Sequence, residues 1–253
     1  MAELLALRGV CKEYARGEHT LRVLSDVLLE VHPGTIAAIV GSREEGKTTL
    51  LKIAAGIEPP DRGEVWLGDL DLTRTSEVAR ARLLGGEIAW AHREGPGVRF
   101  RVIDYVGLPL AIGRGRGPRR ARDLAMEALE QVGASGCAGQ RWEELSNWER
   151  LLVGLARGIA SSPRLLVMDD MLDGFGMSRT HEAGELLLTL VRGLGCGVLM
   201  SCSDLEPALI ADRVCSLERG RLSLLAEQGS ELADVIDFPG GVHQGQSSRR
   251  AGG

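Results

Sequence analysis

Lysine is nearly absent from this chain: in 253 residues only Lys12, Lys47 and Lys52 occur, every other fixed cation being arginine. Any position that needs a compact ammonium rather than a planar guanidinium therefore stands out. A basic excess is also missing. The formal net charge of -5 leaves no broad electrostatic footprint for a nucleic acid. No apolar run reaches the roughly 18 to 20 residues that a membrane-spanning helix needs, so the chain is not expected to cross a bilayer by itself. The opening Met1-Ala2-Glu3-Leu4-Leu5 is acidic where a signal peptide would be basic. Cysteine is sparse and scattered over Cys11, Cys137, Cys196, Cys202 and Cys215, in a pattern that matches no metal motif. Reduced, buried thiols are expected.

What is present fits one large α/β domain. Hydrophobic residues make up 44% and charged residues 26%, the balance of an ordinary globular protein. Leu4 to Val10 alternates like a half-buried strand, and Val31-His32-Pro33-Gly34 reads as a turn. Thr35 to Val40 is a short apolar run bounded by glycines, followed by a helical segment from Thr48 to Ala55. Further apolar runs at Leu165–Met168, Gly197–Cys202 and Val214–Leu217 alternate with helical patterns at Glu149–Ala160, Ser178–Leu194 and Asp204–Ala211. That alternation predicts a parallel sheet covered by helices. Strand signals fade between Ala91 and Ser146, and Arg119–Val132 is helically spaced, which places a helical insertion at about residues 92–155. The domain is expected to span residues 1–237, with a disordered Gly-, Ser- and Gln-rich tail over 238–253. The five arginines between Gly113 and Arg122 read as a solvated loop and helix start, with lipid headgroups or a partner as the alternative.

Gly41-Ser42-Arg43-Glu44-Glu45-Gly46-Lys47-Thr48 has the spacing of a phosphate-binding P-loop, with a buried strand before it and a helix, beginning Thr48-Thr49, after it. Glycines let backbone N–H groups turn toward phosphate oxygens, and the helix N-terminus adds positive potential. Lys47 is then placed to reach the β- and γ-phosphates of a bound nucleotide and Thr48 to ligate Mg2+, a pattern that kinases, GTPases and transport ATPases share. Glu44 and Glu45 are unusual there. A carboxylate about 4 Å from a phosphate charge costs up to roughly 4 kcal/mol at an effective dielectric near 20, and far less if it points outward.

Over nearly its full length the chain resembles the ATP-binding subunits of ABC transporters, most closely the lipoprotein-release and macrolide-export branch. The resemblance rests on Lys12-Glu13-Tyr14, on Gly63-Glu64-Val65 after Pro59-Pro60-Asp61, and on Leu145-Ser146 with the helix that follows. It extends to Leu165 through Asp170, and to Ala211-Asp212-Arg213-Val214 through Gly220-Arg221-Leu222. It implies a P-loop NTPase core of the ABC type with an N-terminal antiparallel β part and the helical insertion. Tyr14 would stack on adenine, Asp169 would hold magnesium through water, and Ser146 would reach nucleotide on a second nucleotide-binding subunit. The segment from Arg93 to Leu110 would dock on a membrane permease subunit, which puts the chain at the inner face of the cell membrane.

Most of the catalytic elements implied by the resemblance depart from the pattern. The general base, normally glutamate, is Asp170, one methylene shorter, and a misplacement near 1 Å can cost about a hundredfold in rate. His92 stands in place of the glutamine that links the metal site to the insertion, and Ser203 in place of the histidine that senses the γ-phosphate. Losing one transition-state donor costs about a hundred- to a thousandfold. The signature serine is followed by Asn147-Trp148-Glu149 instead of two glycines and a glutamine, and Asp173-Gly174-Phe175-Gly176 does not reproduce the loop that crosses the dimer interface. Three functions remain in contention: a subunit whose ATP-driven closure moves a permease with impaired hydrolysis, a non-hydrolysing pseudo-ATPase scaffold, and a small-molecule kinase. The last lacks an arginine-rich lid.

Overall fold

The computed structural model describes residues 3–17, 19–96, 100–113 and 115–227. The expected tail over 238–253 lies outside the described residues, as do Arg114 of the arginine run and residues 97–99 of the expected docking segment.

The strands form two sheets. The first is antiparallel, with spatial order β2-β1-β4-β5 once its strands are placed: β1 (Leu5–Arg16), β2 (His19–Val31), β4 (Arg62–Leu67) and β5 (Leu70–Asp71). Sequence reading missed β2. Its buried residues run Leu24, Val27, Leu29, Val31, and the three-residue step from Leu24 to Val27 breaks the period of two. The cause is a bulge at Asp26, which adopts φ 53° while its N–H donates to Cys11 Sγ at 3.3 Å.

The second sheet has the order β10-β9-β3-β8-β7-β6, formed by β3 (Ile36–Val40), β6 (Ile88–Ala91), β7 (Leu165–Met168), β8 (Gly197–Cys202), β9 (Arg213–Glu218) and β10 (Arg221–Glu227). All neighbours pair in parallel except the β9–β10 hairpin. The limits of β7 and β8 coincide with their apolar runs, because a parallel strand covered on both faces is apolar at every position. Within each run the faces still alternate. Ile36, Ala38, Val40, Leu166, Met168, Val198 and Met200 pack toward the helices, while Ala37, Ile39, Leu165, Val167 and Leu199 pack toward the antiparallel sheet and α1 (Lys47–Ala54).

The helices α2 (Glu77–Leu83), α3 (Val102–Gly113), α4 (Pro118–Gln131), α5 (Asn147–Ile159) and α6 (Met177–Leu194) complete the regular elements. Only α2 and β6 separate β5 from α3, and α3 to α5 lie between β6 and β7. The helix expected at Asp204–Ala211 is a 3₁₀ turn over Glu206–Ile210. Pro207 has no N–H to continue a ladder, and the Asp212 carboxylate ends the segment by accepting the Ile36 N–H at 2.7 Å.

Candidate nucleotide-binding site

The Gly41–Thr48 loop leaves the end of β3, the position where open α/β sheets bind ligands. Two of its glycines are sterically required. A Cβ at Gly41 would lie 2.7 Å from the Leu217 carbonyl oxygen, and one at Gly46, where φ is 99°, would lie 2.6 Å from Val23 Cγ1. Gly46 also caps α1 without any side chain, so the first-turn N–H groups of α1 remain free of a side-chain acceptor. Lys47 is buried, and its ammonium donates to the carbonyl oxygens of Gly41 at 2.7 Å and Ser42 at 3.2 Å and to Ser203 Oγ at 3.3 Å. Those three acceptors use the three protons of an ammonium.

Glu45 is turned outward. Its carboxylate accepts the backbone N–H of Arg219 at 2.6 Å, in the turn between β9 and β10, so the repulsion feared for an inward carboxylate is avoided there. Ser42, Arg43 and Glu44 are exposed on the loop, Glu44 with φ 70°.

Asp169 and Asp170 follow β7 at the mouth of the loop. Thr48 Oγ1 donates to Asp169 Oδ1 at 3.2 Å, which brings together two hard oxygen donors of the type that suits Mg2+. Asp170 adopts φ 45°, and its Oδ1 lies 4.0 Å from Lys47 Nζ. Between the two carboxylates stands Ser201, buried on β8. Ser203 is tied down as well, its N–H donating to Asp173 Oδ2 at 2.9 Å. Burial pushes the Asp173 carboxyl above its ordinary range, against the hydrogen bonding from Ser203, with the nearby Asp170 adding to the rise. Sequence reasoning assigned no role to Ser201 or Asp173. A hydroxyl inside an otherwise apolar strand was the available signal for the first; nothing local marks the second.

A cavity of about 590 Å³ opens beside these carboxylates and is lined by Thr48, Trp90, His92, Arg93, Asp169 and Asp170, among others. His92 thus reaches the site. Burial, aided by the Arg157 guanidinium, holds its imidazole below its ordinary value, and Nδ1 is buried without a hydrogen-bond partner among the described residues. Arg93 donates to the Asp170 carbonyl oxygen at 3.1 Å and lies 5.1 Å over the Phe175 ring.

Tyr14, on β1, comes to the same end of the molecule. Its hydroxyl donates to Glu58 Oε1 at 2.6 Å and lies 3.5 Å from Thr49 Oγ1, while its side chain remains partly exposed. Lys12 joins Glu58 at 3.1 Å and Asp61 at 3.5 Å. Burial alone would raise the Glu58 carboxyl, but the Tyr14 and Lys12 hydrogen bonds outweigh it and hold the group below its ordinary value.

Ser146 does not meet the loop within one chain. It caps α5 in a reciprocal box with Glu149: the Ser146 N–H and hydroxyl both donate to Glu149 Oε2, at 2.8 and 2.7 Å, and the Glu149 N–H donates back to Ser146 Oγ at 3.3 Å. The hydrogen bonds from the Ser146 hydroxyl and backbone hold the Glu149 carboxyl below its ordinary value. Trp148 meets Phe175 edge to face at 5.8 Å and carries the Arg179 guanidinium 4.5 Å over its ring.

The ABC transporter family model matches residues 24–173. The lipoprotein-releasing system ATP-binding protein LolD of Pseudomonas fluorescens is 33% identical over 222 residues, covering 87% of this chain and 96% of the relative. The LolD protein of Ruegeria pomeroyi is 36% identical over 224 residues with the same coverage. A dimeric ATP-binding cassette in a post-hydrolysis state, bound to ADP and phosphate, superposes with a TM-score of 0.79 at 23% identity, over 88% of this chain and 99% of that one. A nucleotide-free cassette from an ABC transporter gives 0.78 at 21%, over 94% and 96%. With its P-loop, its ABC-type sheets and relatives that match it almost end to end, the chain belongs to the ABC transporter family as an ATP-binding subunit of the lipoprotein-release branch.

Proposed function

We propose that the chain binds Mg-ATP through the Gly41–Thr48 loop and Asp169, and that nucleotide-dependent closure onto a second nucleotide-binding subunit moves a separate membrane permease, with hydrolysis impaired. The observation that carries nucleotide binding is the loop itself: Lys47 lies at its centre, α1 presents uncapped N–H groups, and Thr48 is paired with Asp169. The magnesium would supply electrostatic stabilisation of phosphate charge. Lys47 exchanges its carbonyl acceptors for phosphate oxygens, the free N–H groups of α1 bind and orient them, and Tyr14 offers its exposed ring to the base.

Impaired hydrolysis rests on the carboxylate and signature geometry. Asp170 is drawn toward Ser201 and Lys47, Ser203 is bound to Asp173 and Lys47, and the Ser146 hydroxyl is already donated to Glu149. A binding scaffold without turnover is the second reading, favoured by that occupied Ser146 hydroxyl. Permease contact would fall on the segment over residues 93–110, whose Leu108 and Pro109 line, with Ile57, Leu84 and Ile112, a groove of about 320 Å³ next to the nucleotide cavity. Among the described residues no helix is long and apolar enough to cross a membrane, so attachment to the inner face would come through that partner.

The test is to purify the chain with its membrane subunit and measure ATP binding and turnover together. Binding with slow turnover supports the first reading, and binding with none the second. No binding defeats both.

A further inference from the structure

Ser201 lies on β8 with 1% of its surface exposed, on the face of the sheet that packs against α1. Its Oγ accepts the Asp170 backbone N–H at 2.8 Å and lies 2.8 Å from Asp169 Oδ1 and 2.9 Å from Asp170 Oδ1. A hydroxyl carries one proton, so it can donate to only one of those carboxylates at a time. Asp169 Oδ1 has a second donor in Thr48, and Asp170 has the Lys47 ammonium 4.0 Å away. Asp170 also sits in left-handed backbone, a strained conformation that persists in a non-glycine residue only when its surroundings hold it. The Ser201 acceptor is the hydrogen bond the structure gives the Asp170 N–H.

We propose that Ser201 is a positioning residue for both carboxylates: it fixes the turn at Asp170, and its single proton couples the state of Asp169 to the orientation of Asp170. When Asp169 turns its lone pairs to a cation, the Ser201 hydroxyl rotates to donate its hydrogen bond to Asp170 Oδ1 alone. That leaves the rest of the Asp170 carboxylate, whose side chain is 41% exposed, facing the cavity. Engagement at Asp169 thereby locks Asp170. This rests on the nucleotide-binding reading for its consequence, though the hydrogen bonds themselves belong to the free chain. Hydrogen-bond partners of metal ligands commonly change metal affinity by about 10- to 100-fold when removed.

The experiment compares wild type, Ser201→Ala and Ser201→Thr in two measurements. Amide hydrogen exchange at Asp170 in the free protein should speed up at least about tenfold in Ser201→Ala, the size of losing one net hydrogen bond, and return with threonine. Electron paramagnetic resonance of Mn2+ with a non-hydrolysable ATP analogue should show about 10- to 100-fold weaker metal binding in Ser201→Ala alone. Calorimetry of the analogue in EDTA should give equal affinity for all three proteins. Unchanged exchange in Ser201→Ala, failure of threonine to restore it, or an equal loss of metal-free nucleotide affinity would overturn the proposal. A wild type that binds no nucleotide defeats the proposed function instead, and the exchange measurement still decides the role of Ser201.

Discussion

The Ser146 hydroxyl donates a hydrogen bond to the Glu149 carboxylate three residues later, at 2.7 Å. The same residue that begins α5 is the one the family resemblance assigns to nucleotide on a second subunit. The serine therefore has a structural occupation that the proposed binding in trans would have to interrupt.

That competition sets the first prediction. In the proposed dimer with an intact partner, one site would combine the Asp170 and Ser203 of this chain with the partner's signature, and the other would combine this chain's signature with the partner's general base. Trp148→Gly with Glu149→Gln should raise turnover of the heterodimer more than Asp170→Glu does. Steady-state phosphate release checks it, and an effect from Asp170→Glu alone would put the working site on the other half.

For the isolated chain, turnover should fall below the usual enzyme range of about 1 to 1,000 per second. The costs at Asp170 and Ser203 need not add, because residues acting as a unit are strongly non-additive. A coupled assay at saturating Mg-ATP measures this, and a rate inside that range contradicts the reading of both residues.

Lys47→Ala should abolish the calorimetric heat of Mg-ATP binding seen in wild type. Equal heats in the two proteins, or none in either, would take nucleotide out of the account.

Gly46→Ala tests the loop without touching a charged group. With φ at 99° and a new Cβ 2.6 Å from Val23 Cγ1, the loop must shift. Stability should drop by about 1 to 3 kcal/mol in denaturant unfolding, and nucleotide affinity should drop with it.

The Glu58 carboxyl gives a pH dependence of known sign. Its folded-state value lies below the ordinary 4.5, so its contribution is present at neutral pH and is lost as pH falls through the folded value. Glu58→Gln should therefore destabilise at pH 7, by about 1 kcal/mol or less as for partly exposed pairs. Once the pH has fallen below that folded value, the two proteins should converge in thermal melts.

Much of the fold was readable because buried parallel strands announce themselves: β7 and β8 begin and end where their apolar runs do. β2 was not readable, since the Asp26 bulge interrupts its alternation. The P-loop was legible from spacing, which is a local property. The outward turn of Glu45 was not, because its partner Arg219 is 174 residues away in sequence. Asp173 escaped for the same reason, joining the site only through the loop after β8.

The bond from Glu45 to Arg219 also makes the phosphate loop and the edge hairpin mechanically one piece. Gly41 lies against the Leu217 carbonyl, and Ser25 donates its N–H to the Gly220 carbonyl oxygen at 2.8 Å, so β2, the loop and the hairpin turn hold one another in place. Segments joined this way open together rather than singly. A ligand that holds the closed form suppresses such opening by mass action. The peptide bond between Arg219 and Gly220, a target for trypsin, would thus be a remote gauge of whether the loop is filled: if nucleotide binds there as proposed, its cleavage should slow.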